Sequence, residues 1–272
     1  MQIFPTSPKE MVLSFWKNRL LIKSLVMREV QGRYRGSFGG IFWSIFNPII
    51  LLLIYTFVFS EIFKSRWEGG GDSRTEFALV LFAGLIAFNF FTECFLRAPG
   101  LILSNVNYVK KVIFPLEILP WVSIGSSIFH AIISFIVWLA AYFILFGLPP
   151  YSIFWVPIII LPLIFFSVGV GWIFASLGVY IRDISQAVGI ITTVLMFITP
   201  IFYPITAIPF QYRFFLEFNP LAYEVQQLRG VMYWGDTPDL NSFSIWLFLS
   251  FSFACIGFFW FQKTRKGFAD VL

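Results

Sequence analysis

The chain has 272 residues, of which 58% are hydrophobic and only 12% are charged, and its formal net charge is +5. A soluble globular domain carries about 25% charged residues, so water is excluded as the main solvent of this surface. Aromatic residues make up 21% of the chain, and Trp and Tyr are enriched where a membrane meets water. The composition therefore predicts an integral membrane protein.

The first 35 residues are rich in basic side chains and contain no long apolar run. On a helix, Val12, Phe15, Ile22, Val26 and Val30 fall on one side, and Lys17, Ser24, Arg28, Gln31 and Arg35 fall on the other. A helix with one apolar and one polar side lies along a membrane surface. Arg19 and Arg33 interrupt the apolar side, so a solvated basic tail is the alternative. We expect residues 1–35 to be a cytoplasmic segment with an amphipathic interface helix.

Uncharged runs locate the membrane crossings, because a helix of about 20 apolar residues spans the hydrocarbon core. Such runs cover residues 36–60, 77–92, 118–181, 184–212 and 240–262. The third run is too long for one crossing, and its sequence GLPP at residues 147–150 predicts a tight turn that divides it. The second run is short unless its helix continues past Glu93 toward Arg97. The predicted fold is all-α, with six transmembrane helices in a domain of residues 36–262 and a cytoplasmic tail of residues 263–272.

Basic residues predict the orientation of these spans, since Lys and Arg concentrate in cytoplasmic loops. With a cytoplasmic N-terminus, the inner segments hold most of the 19 basic residues: Lys9, Lys17, Arg19, Lys23, Arg28, Arg33, Arg35, Arg97, Lys110, Lys111, Arg182, Lys263, Arg265 and Lys266. The outer segments hold only Lys64, Arg66, Arg74, Arg213 and Arg229. Both termini are therefore predicted to be cytoplasmic.

The segment between the fifth and sixth spans is unusual for an external loop. Residues 199–235 contain Pro200, Pro204, Pro209 and Pro220, with many aromatic side chains between them. Proline interrupts helices, and a large apolar surface in water marks a contact with protein or membrane. The pattern predicts re-entrant helices that dip into the outer leaflet, where irregular backbone is tolerated if protein or a water-filled cavity covers it.

The sequence lacks several motifs of catalytic chemistry. It contains no G-x-x-x-x-G-K-[ST] phosphate loop, no H-E-x-x-H and no G-x-S-x-G. Cys94 and Cys255 lie in or beside apolar runs and are interpreted as small hydrophobic side chains. His130 lies among apolar residues, and we interpret it as bonded to a neighbouring helix, with a functional role as the alternative. Any energy source is expected on another chain, and no cofactor or metal is expected on this one.

Several short motifs follow one another in unbroken order from about Met27 to the C-terminus. They are RYRGS at residues 33–37, WSIFNP at 43–48, VKKVIFP at 109–115, EILP at 117–120, YIRDI at 180–184, TPIFYP at 199–204, FNP at 218–220 and KGFAD at 266–270. This series resembles the permeases of type 2 ABC exporters, and within them the branch that exports lipid-linked polysaccharides: O-antigen, capsule and teichoic acid.

The resemblance implies a homodimer of six-helix subunits in a bacterial plasma (inner) membrane. It also implies two copies of a separate ATPase subunit, which would bind ATP and Mg²⁺, and a polyprenyl-pyrophosphate-linked glycan as substrate. Membrane lipid is the surrounding partner, and nucleic acid is not expected among the partners.

The resemblance places a coupling helix at about residues 104–114, where it would contact the ATPase. The polar residues there are Asn105, Asn107, Lys110 and Lys111, with an apolar strip beside them; an ordinary positively charged loop is the alternative. Arg182 and Asp183 resemble a second cytoplasmic contact, although two opposite charges could simply neutralise each other at the membrane surface.

The substrate path is expected to combine charge with aromatic rings. Arg33, Tyr34 and Arg35 could receive the lipid pyrophosphate, because guanidinium groups suit phosphate oxygens. Aromatic rings offer rigid apolar walls to sugars, and the candidates for a conduit are Phe38, Phe42, Phe46, Phe197 and Tyr203. Contact with lipid is the alternative at each of these aromatic positions.

We therefore expect ATP-driven export of lipid-linked polysaccharide to the outer face of the membrane, with O-antigen as the leading cargo. Teichoic acid or capsular polysaccharide is the alternative cargo. A membrane-bound glycolipid-processing enzyme and a proton-coupled carrier are alternatives of other classes. The enzyme is disfavoured because clustered carboxylates and a His pair are missing, and the carrier because intramembrane acids are missing apart from Glu93 and Glu117, near the predicted inner ends of their helices.

Overall fold

The computed structural model describes residues 5–62, 74–110 and 114–272, and over these residues it is helical with no β-strand. Its α-helices in chain order are α1 (Pro8–Lys17), α2 (Arg19–Tyr34), α3 (Trp43–Thr56), α4 (Arg74–Arg97), α5 (Gly100–Leu103), α6 (Val106–Val109), α7 (Leu119–Phe146), α8 (Val156–Ile159), α9 (Leu161–Tyr180), α10 (Ile184–Ile198), α11 (Phe210–Glu217), α12 (Pro220–Arg229), α13 (Leu240–Thr264) and α14 (Phe268–Val271).

Within the described residues, five helical stretches are long and apolar enough to cross a membrane. They are Gly40–Phe59, Thr75–Arg97, Leu116–Phe146, Tyr151–Tyr180 and Leu240–Val271. The second of them includes Glu93 and Arg97, so the predicted continuation past Glu93 is confirmed. The predicted division of the third apolar run is also confirmed. Helix α7 ends at Phe146, and the next residue, Gly147, has a φ of 86°. Glycine adopts this left-handed conformation at little energetic cost, because it has no Cβ atom.

The fifth apolar run, residues 184–212, is not one helix. Its helix α10 has 15 residues and ends at Ile198, directly before the Thr199–Pro200 pair. Proline disfavours the helical conformation in the residue before it, which accounts for this end. Two short helices, α11 and α12, follow. Leu221, Val225 and Leu228 of α12 are buried, and Val225 packs against Gly84 of α4, so this region is folded against the bundle.

The N-terminal segment, predicted to form one amphipathic helix, is helical but forms two helices that meet at Asn18. The Asn18 side chain donates to the Ser14 carbonyl at 2.8 Å, which turns the chain at this point. Ile22 and Leu25 of α2 form a small apolar cluster with Ile118 and Val122 of the third span. Val12, which was assigned to the apolar side, is instead 53% exposed, because it lies on α1 before the turn.

Helix α4 lies at the centre of the bundle, with most side chains from Phe77 to Ala98 buried. Trp138 of α7 donates its indole N–H to the Leu79 carbonyl of α4 at 2.9 Å. Helices α9 and α13 approach closely where Gly257 faces the Gly169 backbone. Small residues at such a contact allow helix backbones to approach within a membrane.

The two terminal segments meet at one end of the bundle. Glu117, just before α7, accepts from the Arg265 guanidinium after α13 at 2.6 Å and from the Ser14 hydroxyl of α1 at 3.0 Å. Arg265 also donates to the Phe114 carbonyl at 2.9 Å. Both termini therefore lie on the same side of the helical bundle.

Candidate functional site

A cavity of about 750 Å³ opens between α2, α3, α4 and α7. Its wall carries hydroxyl and amide groups on three helices: Ser44, Asn47, Asn89, Thr92, Ser126 and Ser134. Its charged and titratable lining residues are Glu29, Arg33, Glu93, Arg97 and His130. The cavity carries these polar and charged groups within an apolar bundle, and ionisable side chains in that setting are candidates for a functional site.

Glu93 is the centre of an ion network on the cavity wall. Its carboxylate pairs with Arg33 from α2, and its Oε1 also lies 3.7 Å from Nη1 of Arg97, four residues later on α4. The Glu93 side chain is only 17% exposed. A carboxylate removed from water to this extent requires charged partners, and the two arginines supply them.

His130 connects this network to α7. Its Nδ1 lies 3.0 and 3.1 Å from the two carboxylate oxygens of Glu93, and its Nε2 lies 3.1 Å from the Tyr34 hydroxyl. With its proton on Nδ1, the imidazole would donate to Glu93 and accept from Tyr34 at Nε2; Nη1 of Arg33 also lies 3.2 Å from Nδ1. The prediction that His130 is bonded to a neighbouring helix is confirmed.

Tyr34 keeps its proton at this position. Burial raises the pKa of the Tyr34 hydroxyl, although the positive charge of Arg33 opposes the shift. A phenol that titrates above pH 10 is neutral in the cell, so Tyr34 can donate to His130 throughout the physiological range.

A second ion pair joins α2 to α4 across the same cavity. Arg97 bonds to Glu29 through Nη2, while its Nη1 faces Glu93. One guanidinium therefore bridges two carboxylates. Its side chain remains 33% exposed, so this part of the network is open to an incoming ligand.

The structure brings two of the three predicted entry residues together. Arg33 and Tyr34 line the cavity. Arg35 is exposed at the C-terminal end of α2 and is not among the described residues that line it. Arg33, which seemed to interrupt the apolar side of the helix, points into the ion network.

The predicted coupling segment lies around α6. Asn107 and Lys110 are exposed and Asn105 is half-buried, with its side chain donating to the Leu101 carbonyl at 2.9 Å. Tyr108 stacks on Phe114, with ring centroids 4.1 Å apart. Lys111 lies outside the described residues.

The second predicted contact, Arg182 and Asp183, is exposed between α9 and α10. It lies near the coupling segment in the fold, because Gly178 of α9 packs directly against the Pro99 backbone. Both predicted contacts therefore occur on the same side of the bundle.

The aromatic candidates do not line the cavity. Phe42 and Phe46 are 67% and 56% exposed, whereas Ser44 and Pro48 of the same stretch face the cavity. Two residues correspond to roughly 200° around a helix, so these rings point away from it. Phe38 precedes the helical stretch that begins at Gly40, so its spacing of four from Phe42 does not place the two rings on one helical face.

The two outer candidates also lie away from the cavity. Phe197, near the end of α10, is exposed. The Tyr203 hydroxyl donates to the Phe197 carbonyl at 2.7 Å, which fixes the chain after the helix ends.

Sequence reasoning missed the partners of Glu93. The available signals were the Glu93–Arg97 pair at a spacing of four, which places both charges on one helix face, and a single histidine within an apolar run. Neither signal shows which helix supplies Arg33 or Glu29, because those contacts join residues 60 and 68 positions apart.

Three known proteins are similar to this chain over much of their length. The O-antigen export system permease protein RfbA of Klebsiella pneumoniae is 25% identical over 199 residues, which cover 72% of this chain and 76% of the relative. A protein with the same description from Myxococcus xanthus is 24% identical over 231 residues, covering 84% and 86%. The polysialic acid transport protein KpsM of Escherichia coli is 30% identical over 161 residues, covering 56% and 60%.

A family match covers most of the chain as well. Residues 20–233 match the family described as ABC-2 type transporter. This range contains α2 from Leu20 onward and all the residues that line the cavity, including its ion network. The chain belongs to the ABC-2 type transporter family.

Proposed function

We propose that this chain is the membrane permease of an ATP-driven exporter of lipid-linked polysaccharide, with O-antigen as the leading cargo. The observation that carries the proposal is the cavity with its charged wall between α2, α3, α4 and α7. Two relatives named as O-antigen export permeases support the cargo. The relative named as a polysialic acid transport protein favours capsular polysaccharide as the second candidate.

The proposed topology has six crossings and cytoplasmic termini in the bacterial inner membrane. Helix α10 would be the additional crossing, lengthened by the chain around Tyr203, and α11 and α12 would be the re-entrant helices. Segments 1–35 and 263–272 would be cytoplasmic, on either side of a membrane domain of residues 36–262. The concentration of basic residues at that end supports this orientation.

The proposed assembly is a homodimer with two copies of an ATPase subunit that binds ATP and Mg²⁺. Asn105, Asn107, Lys110 and Lys111 would contact the ATPase, with Arg182 and Asp183 beside them. Their support is the exposure of Asn107, Lys110, Arg182 and Asp183, together with the packing of the Pro99 turn on α9.

The proposed entry site uses Arg33 and Tyr34 at the cavity, with Arg35 exposed next to them as the first contact of an anionic head group. The glycan would then pass along a conduit between two copies of the chain. Exposed Phe42, Phe46 and Phe197 are available for its wall because they face away from their own bundle.

Deletion of the gene in its native host, followed by complementation, tests this proposal. We expect loss of surface polysaccharide and accumulation of lipid-linked glycan on the cytoplasmic side, both restored by the wild-type gene. Analysis of the missing glycan distinguishes O-antigen from capsule or teichoic acid. Unchanged surface polysaccharide would refute the export function, and a chemically altered glycan on the lipid would instead indicate a processing enzyme.

A further inference from the structure

The four charges on the cavity wall are arranged around one guanidinium. Arg97 faces Glu29 through Nη2 and Glu93 through Nη1, and Arg33 reaches the same Glu93 oxygen, Oε1, from the other side. An anionic group at the position of the Glu93 carboxylate would therefore contact both arginines. A second anionic group at the position of Glu29 would contact Arg97 alone.

We propose that Arg33 and Arg97 form a clamp for a diphosphate group, and that Glu93 and Glu29 occupy this clamp as internal counter-ions until the diphosphate displaces them. The inference rests on the proposed export function and adds Arg97 and both carboxylates to its entry site. The Arg97 guanidinium faces two carboxylates, so two linked phosphates could take the places of both. A guanidinium group can also donate two parallel hydrogen bonds to the oxygens of one phosphate. A monophosphate can replace only one of the two carboxylates.

Exchange requires that the displaced carboxylates do not remain buried without a partner. His130 meets this requirement for Glu93, because its Nδ1 lies within 3.1 Å of both carboxylate oxygens and its Nε2 is held by Tyr34. When Arg33 and Arg97 turn to the diphosphate, Glu93 keeps the hydrogen bond from His130. Glu29 is 25% exposed and can turn to water.

The four charges on the cavity wall also cancel one another. Arg33 and Arg97 balance Glu29 and Glu93, so the cavity wall carries no net charge from these four groups within the apolar bundle. The Arg33 side chain is 51% exposed, which leaves one arm of the clamp accessible from the end of the bundle. Affinity then reflects competition between the lipid diphosphate and the resident carboxylates.

The test measures binding to the permease–ATPase complex in phosphatidylethanolamine nanodiscs. The probes are undecaprenyl pyrophosphate, undecaprenyl monophosphate, phosphatidylglycerol and inorganic pyrophosphate. We expect the lipid diphosphate to bind best, and Arg33→Ala and Arg97→Ala each to weaken it about tenfold or more, since each loses a charge-assisted contact. Lys23→Ala removes an exposed charge from the same helix, α2, and should leave affinity unchanged.

Glu93→Gln gives the decisive result, because it should bind the lipid diphosphate more tightly. The gain should reach up to about fivefold, the scale of a partly exposed ion pair. Glutamine retains a carbonyl oxygen that accepts from His130, and Glu29→Gln carries the same expectation if Glu93→Gln does not accumulate as folded complex. A residue needed only for folding would not strengthen binding.

Unchanged or weaker binding in both glutamine variants would overturn the exchange, even if deletion of the gene abolishes export. Equal affinity for the monophosphate or phosphatidylglycerol would overturn the diphosphate preference. Equal affinity for inorganic pyrophosphate would show that the clamp binds a diphosphate without its lipid. The proposal that the clamp receives a lipid diphosphate would then be wrong. Normal surface polysaccharide after gene deletion would refute the proposed export function separately.

Discussion

Gly178→Ala tests whether the coupling segment depends on its close contact with α9. A Cβ atom at Gly178 would lie 2.2 Å from the carbonyl oxygen of Pro99 and 2.8 Å from its Cα and carbonyl carbon. Real Cβ atoms essentially never approach closer than 3.0 Å, so the two backbones would have to separate by at least about 0.8 Å. Helix α5 starts directly after Pro99 and would move with it.

The overlap should cost about 3 kcal/mol, the upper end of the range for overpacking, because the atom at 2.2 Å belongs to the backbone. Alanine in place of a helical glycine recovers about 0.5–1 kcal/mol of helix propensity. Gly189→Ala in α10 is the matched control, because nothing lies within 4 Å of its added Cβ. The control should be neutral or slightly stabilising, whereas Gly178→Ala should be destabilising.

The assay combines thermal melting of the purified complex with ATPase activity and surface polysaccharide. A loss of 1 kcal/mol corresponds to roughly 2–4 °C for a chain of 150–250 residues, so Gly178→Ala should melt several degrees below wild type. We also expect weaker coupling of ATP hydrolysis to export, because α6 follows α5. Equal melting temperatures for the two alanine variants would refute the close contact.

Two further predictions concern topology and coupling. Cysteines placed at Gly70 and Lys266 should be labelled from opposite sides, with only the first labelled in intact cells; equal external labelling would contradict the proposed orientation. Gly70 falls outside the described residues. Replacing Lys110 and Lys111 with Glu should uncouple ATP hydrolysis from export while the complex still assembles, since inverted charge opposes docking. Lys23→Glu is the charge-matched control, and normal export in the double variant would contradict the coupling role.

Most of the helical framework could be predicted because membrane helices obey a length and hydropathy rule. The turn at Gly147 was predictable from the Gly and Pro residues that follow α7. Pro200 indicated that α10 ends at Ile198. The prediction nevertheless extended the apolar run to residue 212, because the chain after Pro200 is also apolar. Hydropathy depends only on which residues the chain contains, whereas the end of a helix depends on which backbone conformations those residues can adopt.

The candidate site was harder to predict because its contacts are distant in sequence. The basic residues Arg33 and Arg35, on either side of Tyr34, suggested a phosphate site. Arg33 and Tyr34 line the cavity. The pairing of Arg33 with Glu93, and of Arg97 with Glu29, depends on how α2 packs on α7, next to α4. That packing involves apolar contacts such as Val26 of α2 against Gly125 of α7, which carry no charge pattern.

The position of the first-span aromatics decides where a conduit can be. Phe46 is separated by two residues from both Ser44 and Pro48, which face the cavity, and is therefore on the opposite side of α3. A glycan that contacts Phe42 and Phe46 must pass outside this subunit's own cavity. In a homodimer, the space between the two copies would provide that path.

Variants at Phe42 and Phe46 distinguish an aromatic wall from simple contact with lipid. We expect Phe42→Ala and Phe46→Ala to reduce surface polysaccharide at normal levels of folded complex, because sugars lose the rings on which they pack. Leu keeps the apolar bulk without the ring, so the Leu variants should remain impaired. Phe248→Ala on α13 is the control, since this ring is also exposed but lies on another span. Wild-type export in both Leu variants would show that bulk is sufficient, and would place these rings against lipid.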